Sequence, residues 1–298
     1  MTQTASGALL ISALRALPKN AMSRLAGRFV SLRLPQPLQR WQILLAAWWF
    51  GINLGEVRDP LESFACFQDF FVRALRPGVR PLAQDPNAIA SPCDGAWGEA
   101  GVVEDGQLVQ VKGQGYSLGA LLGSDADAKR FEGGSFATLY LSPADYHRFH
   151  APCDVKISKA RYLEGTLWPV NGAGLAGIDG LFAQNERVAA FMDLTGRGIF
   201  DGVCVVAVGA TMVGKVKVEF DSLTTNVKGA PSELREYSDS PDGGRAPRFS
   251  AGAEWGRFEF GSTLVVLISG DSGELDIQPV GTKVKMGARI GTLRGVAA

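Results

Sequence analysis

The sequence predicts an α+β fold, a β-rich domain behind a helical N-terminal region, on three observations. Short Val-rich runs separated by turns recur from Ala88 onward, and 37 glycines supply the turn positions that such strands need. Before residue 60 the apolar residues instead recur every three or four positions, which is the helical period. A hydrophobic content of 46% over 298 residues can form one large core or two small ones.

Taken in order, Leu10, Leu14 and Leu17, then Met22, Leu25 and Phe29, predict two short amphipathic helices broken near Pro18. Their polar faces are basic: Arg15, Lys19, Arg24, Arg28, Arg33 and Arg40 all precede the first acidic residue, Glu56. The run from Trp41 to Leu54 is uncharged and holds Trp41, Trp48 and Trp49. It falls short of the roughly 20 apolar residues that a spanning helix needs. A basic segment followed by a Trp-rich one predicts a helix lying in a membrane interface, with a packed core helix as the alternative. Glu62 to Leu75 places Phe64, Phe67, Phe71 and Ala74 on one helical face, ended by Arg76-Pro77-Gly78.

From Ala88 the pattern changes to strands and turns. A tight turn at Ser91-Pro92-Cys93-Asp94-Gly95 precedes runs at Gln107 to Lys112, Phe136 to Leu141, Val203 to Val208 and Gly214 to Phe220. Residues 221–250, rich in Ser, Pro, Asp, Gly and Arg, read as a mobile surface excursion. A strand around Ser262 and a turn at Gly281 to Gly287 close the chain. The expected organisation is a helical membrane-interface region at 1–60 and a β-rich catalytic domain at 61–298.

Composition removes several function classes. A formal net charge of zero argues against a nucleic-acid binder that works by neutralising phosphates. Cys66, Cys93, Cys153 and Cys204 lie far apart without a C-x-x-C pair, so neither a zinc knuckle nor a small disulfide scaffold is indicated, and a reducing compartment fits best. The first residues lack the pattern of a secretory signal, and no export is expected. No dinucleotide fingerprint or phosphate-binding loop occurs.

Two features carry chemistry. In Glu259-Phe260-Gly261-Ser262-Thr263-Leu264-Val265-Val266, a Gly-Ser-Thr tripeptide interrupts an apolar run, and a glycine inside a strand marks a bulge or a close approach. The Ser262 hydroxyl could attack the unshielded Gly261 carbonyl and convert the peptide to an ester. β-Elimination then cuts the chain and leaves dehydroalanine at position 262, which tautomerises to an imine and is hydrolysed to a pyruvoyl group with loss of ammonia. The second feature is that both histidines of the chain, His147 and His150, fall within Tyr146-His147-Arg148-Phe149-His150. A seryl hydroxyl needs a base, histidine is the usual one near neutral pH, and a carboxylate orienting its second nitrogen completes a triad. Asp94 leads for that place, with Asp145 and Asp154 as rivals. Two histidines three residues apart plus an aspartate could also ligate zinc, although the short metal motifs are missing and no metal is expected.

With these residues in place, the chain resembles the bacterial phosphatidylserine decarboxylases, pyruvoyl enzymes that make their prosthetic group from an internal serine. The resemblance runs through Phe70-Phe71-Val72-Arg73, Arg80-Pro81-Leu82, Ser91-Pro92-Cys93-Asp94-Gly95, Lys112-Gly113-Gln114, Tyr146 to Pro152, Asn185-Glu186-Arg187-Val188, Val208-Gly209-Ala210-Thr211 and Gly256-Arg257-Phe258, and ends at Gly261-Ser262-Thr263. It implies that Ser262 becomes the pyruvoyl group, that cleavage yields chains 1–261 and 262–298, that Asp94 and His150 serve self-cleavage, and that His147 serves the substrate. Two departures stand out: Phe260 where the best-known members have leucine, and Ala251 where they have lysine.

The resemblance also implies the reaction. A substrate amine forms a Schiff base with the pyruvoyl carbonyl, which accepts the electrons released as CO₂ leaves, the role pyridoxal phosphate has elsewhere. Phosphatidylserine would be the substrate and phosphatidylethanolamine the product, with no pyridoxal phosphate needed. The two chains would stay together as a heterodimer, with pairing into a higher oligomer open, peripherally attached to the cytoplasmic side of an anionic cell membrane. Two alternatives stay open: a pyruvoyl decarboxylase of another amino-acid-like headgroup, and a non-enzymatic lipoyl- or biotinyl-type carrier suggested by Lys283-Val284-Lys285-Met286-Gly287.

Overall fold

The structure, a computed structural model, describes residues 19–110, 114–170, 172–211, 215–227, 229–240, 244–259 and 263–295. Helix α1 (Lys19–Val30) realises the second of the two short helices expected around Pro18, and the first lies outside the described residues. Helix α2 (Gln36–Phe50) begins after Pro35 and stops at Gly51, whose φ of 74° suits a left-handed cap that glycine adopts at little cost. The helix expected across Glu62 to Leu75 shrinks to α3 (Phe67–Phe71), because the backbone is extended at Phe64 and Cys66. Phe64 and Ala74 are nevertheless buried, reaching their packing partners from irregular chain.

Helix α2 has two apolar faces. Gln39, Ile43 and Ala47, four residues apart, are buried, and Ile43 and Ala47 share a core with Val57, Phe64, Phe70 and Phe71. That core runs across position 60. Leu38, Trp41, Leu45, Trp48 and Trp49 point outward, the last two 75% and 73% exposed. The Trp-rich run is therefore core on one side and bare apolar surface on the other. Among the described residues no helix is long and apolar enough to cross a membrane.

The strands that place the site are β1 (Gly95–Val102), β2 (Ser135–Tyr140), β3 (Arg148–His150), β4 (Val155–Leu163), β5 (Arg187–Leu194), β6 (Ile199–Val208), β7 (Val216–Val218), β8 (Glu254–Phe258) and β9 (Thr263–Ile268). A nine-stranded antiparallel sheet runs in the order Glu233–Glu236, β4, β5, β6, β9, β2, β1, Lys283–Val284, with Arg248–Phe249 also pairing β4. At its centre β9 pairs along its whole length with β6 on one side and β2 on the other. Its alternate residues feed two cores: Leu264, Val266 and Ile268 enter one, Val265 and Leu267 the other. A strand buried on both faces has no polar alternation to show, which is why the sequence reads there as a continuous apolar run.

A second, three-stranded sheet runs β7, β8, β3. Its strand β8 leads directly towards β9, so the chain leaves the small sheet after Phe258 and enters the centre of the large one at Thr263. Gly261 and Ser262 lie in that crossover and outside the described residues, as does Phe260.

One expectation is corrected. Residues 221–250 are not simply a mobile excursion, because Glu233–Glu236 and Arg248–Phe249 both extend the large sheet along β4. Polar ties hold the segment down: Arg235 and Tyr237 converge on Asp221, and Arg248 binds Asp239. Edge strands with charged side chains give no apolar alternation, so a turn-forming composition hides them.

Candidate active site

Asp94 sits at the end of the tight turn before β1 and is completely buried. A buried carboxylate must be paired, and Arg80 grips it from Nε to Oδ1 at 2.8 Å and from Nη2 to Oδ2 at 2.6 Å. The Met286 amide donates to Oδ1 at 2.8 Å and Lys285 Nζ to Oδ2 at 3.1 Å. Arg80 Nη2 also reaches Glu56 at 2.7 Å. Burial alone would raise the Asp94 pKa, yet Arg80 and the Met286 amide outweigh it and hold the group below the ordinary carboxylate value.

His150 ends β3 and is held by a backbone hydrogen bond from its amide to Pro92, two residues before Asp94. Its Nδ1 lies 2.9 Å from the Gly252 carbonyl and its Nε2 3.2 Å from the Tyr146 hydroxyl. A carbonyl can only accept, so Nδ1 carries the proton and Nε2 offers its lone pair. The orienting role expected of Asp94 is thus filled by a backbone carbonyl, which a substitution cannot easily remove. Burial lowers the His150 pKa, while the Gly252 carbonyl and, at longer range, Glu254 and Asp94 oppose that shift. The ring is a neutral base with a buried anion nearby.

His147 has different surroundings. It is fully buried and stacked on Phe71, ring centroids 4.0 Å apart at 21°. Neither ring nitrogen makes a well-formed hydrogen bond among the described residues. Burial, reinforced by the Arg73 guanidinium, lowers its pKa to about 3. Arg73, itself buried, donates to the carbonyls of Ala144 and Asp145, fixing the turn that leads into β3.

The two rival aspartates have structural work. Asp145 caps its own turn, accepting from the amide and hydroxyl of Ser142 at 2.8 and 2.6 Å. Asp154 accepts the Ala251 amide at 2.8 Å, bracing the turn that presents Gly252 to His150. Among the described residues no three His, Cys, Asp or Glu side chains gather as a metal set would, and all four cysteines are buried free thiols.

The described residues on either side of the crossover are fixed by backbone pairing. The Phe258 amide donates to the His147 carbonyl at 2.9 Å, Glu254 stands opposite His150 in the β8–β3 ladder, and Thr263 pairs with Tyr140 and Val208. A mostly apolar cavity of about 330 Å³ opens at Thr263, walled also by Trp97, Thr138, Tyr140 and Phe182.

The comparisons with known proteins agree with this geometry. The phosphatidylserine decarboxylase family profile matches residues 67–292. The chain belongs to the phosphatidylserine decarboxylase family. Among its relatives, the phosphatidylserine decarboxylase proenzyme of Anaeromyxobacter sp. (strain K) is 44% identical over 95% of this chain and 98% of its own. The proenzyme of Brevibacillus brevis is 39% identical over 90% and 91%, and that of Myxococcus xanthus 36% over 85% and 87%.

The structure gathers Arg80, Tyr146, Gly252, Lys285 and Met286 around Asp94 and His150, beside the residues read from sequence. Arg80 stands in a stretch that carries the family resemblance, but its pairing with Asp94 exists only once the sheets assemble. Gly252 had no signal in the sequence, because a carbonyl belongs to every residue.

Proposed function

We propose that this chain is a self-cleaving decarboxylase proenzyme that converts phosphatidylserine to phosphatidylethanolamine and CO₂. The observation that carries the proposal is the crossover from β8 to β9, which strings Gly261-Ser262 between a strand paired with the histidine segment and the centre of the large sheet. His150 Nε2, once it exchanges Tyr146 for the serine, takes the Ser262 proton. Asp94 acts through space: an anion clamped by Arg80 favours the imidazolium that results. Ser262 supplies the attacking oxygen and becomes the pyruvoyl group, whose ketone, when formed, provides the electron sink for decarboxylation. His147, neutral under Phe71, is assigned the later proton delivery at the substrate.

Intact-mass measurement of active enzyme is expected to give chains 1–261 and 262–298, the smaller with a pyruvoyl N-terminus; only uncut chain in active material would refute this. His147→Ala is expected to cut normally yet release CO₂ slowly, and failure to cut while folded would remove its assigned role.

Peripheral attachment to an anionic membrane is supported by the bare face of α2 and by exposed Leu25 and Phe29 of α1. Trp48→Ser with Trp49→Ser tests it without opening the core on the other face. Vesicle sedimentation should fall while self-cleavage proceeds, and unchanged sedimentation would rule the surface out.

A further inference from the structure

Outside the histidine site, a polar pocket of about 360 Å³ is lined by three cations and one carboxylate. Arg24, Gly27, Arg28 and Ser31 bring one side of α1 to it, and Gln68, Lys215, Asn226 and Glu259 form the rest. Three cations converge there, and among the described residues none of them makes an ion pair, whereas Glu259 is already paired with Lys217 at 2.6 Å. The second observation is Gln68: it is 8% exposed, lines the same pocket, and its Nε2 donor has no hydrogen-bond partner among the described residues. A buried donor without an acceptor is destabilising unless something supplies one. The pocket offers positive charge and a spare N–H and lacks only an anion with acceptor oxygens.

We infer that this pocket binds the phosphodiester of the lipid headgroup during decarboxylation. The inference rests on the reading that the chain decarboxylates phosphatidylserine. Three features favour phosphate over the substrate's other anion, the carboxylate. Glu259 lies three residues before Ser262, within roughly 11 Å at the chain's 3.8 Å per step. The phosphorus of a phosphoserine headgroup is four bonds from the amine that must reach position 262. Cations gathered at the carboxylate would stabilise the charge that decarboxylation has to disperse, binding the ground state at the expense of the transition state, while the phosphodiester keeps its charge throughout. The neighbouring surface also suits a lipid. Arg28 is shared with an apolar groove of about 620 Å³ along α1, lined by Met22, Leu25, Phe29 and Leu32, which places an acyl chain next to the phosphate.

Monomeric dihexanoyl phosphatidylserine, assayed without vesicles, separates headgroup recognition from attraction to a charged membrane. Self-cleavage of each full-length variant reports folding. Arg24→Gln, Arg28→Gln and Lys215→Gln are each expected to cut normally and to raise KM by roughly tenfold, the loss of one charge-assisted contact, with a smaller change in kcat. Lys215→Arg should stay near the parent. Glycerol 3-phosphate should compete with substrate in the parent enzyme and compete less well in the three variants. If the variants keep the parent KM on monomeric substrate and lose rate only on anionic vesicles, the cations serve the membrane surface and the inference is overturned. Failure of glycerol 3-phosphate to compete in the parent overturns it as well. A parent enzyme that releases no CO₂ from phosphatidylserine would instead sink the decarboxylase reading itself.

Discussion

Only Arg148 and Phe149 separate His147 from His150, yet the two histidines stand in different kinds of surroundings. His150 has a hydrogen-bond partner on each nitrogen, Gly252 and Tyr146, and a clamped carboxylate within electrostatic reach. His147 has a phenylalanine face and a repelling guanidinium. Burial lowers the pKa of both, but one ring has a partner on each nitrogen and the other is packed under an aromatic face. The contrast teaches that residue type and spacing can nominate a catalytic pair without dividing the labour, which depends on what each ring touches.

The largest expected effect breaks the comparison outright. His150→Ala should lose roughly 10²- to 10⁴-fold in self-cleavage rate, the usual contribution of a positioned general base, while its melting transition stays near the parent's. Cleavage at the normal rate, followed on denaturing gels, would show that His150 is not the base. Because burial keeps its pKa below the ordinary histidine value, parental cleavage should remain fast at pH 6.5 and slow only in more acid buffer.

Next in size is Arg80→Met, which strands a fully buried Asp94 anion with only Met286 and the exposed Lys285 as partners. Removing one member of a buried pair costs about 3–5 kcal/mol. The urea midpoint should drop accordingly and cleavage should slow, with Arg80→Lys recovering part of both. A midpoint unchanged in Arg80→Met would mean that water, not Arg80, satisfies Asp94.

The His147 side is sharpened by pH. Its folded pKa of about 3 lies below the unfolded value near 6.5, so between these limits the unfolded chain binds more protons and stability falls as pH falls. Urea midpoints at pH 7 and pH 5 should therefore differ less in His147→Leu than in the parent. Equal pH dependence in both would show that His147 does not set the acid limb. The smallest effect belongs to Tyr146→Phe. Loss of one neutral hydrogen bond to His150, worth about 1 kcal/mol, should change cleavage by less than tenfold, and a larger change would promote Tyr146 from partner to participant.

How far the sequence reached depends on the kind of interaction. The buried strands β6 and β9 were legible because β-branched runs with both faces covered look alike wherever they occur. The pairing of Asp94 with Arg80 was not, since two loop residues meet only after the sheets assemble. Helix α2 shows a subtler limit: Trp48 and Ala47 are neighbours of similar apolar character, and only the position of Phe64 and Phe70 decides which one is inside. Edge strands such as Glu233–Glu236 escaped because their pairing uses backbone groups alone.

The central place of β9 has a mechanical consequence. Everything after position 262 forms one end of the chain, but that end is threaded through the whole fold: β9 divides β6 from β2, Arg289–Leu293 lies between Ala88–Ala90 and Gly273–Leu275, and Lys283–Val284 borders β1. A cut at the proposed Gly261-Ser262 site would therefore free one bond and no strand. The shorter fragment is dovetailed, not tethered, and dilution cannot draw it out. It leaves only when the sheet itself comes apart, so the severed protein should melt in one step that couples unfolding to separation of the two chains, at a temperature that rises with protein concentration.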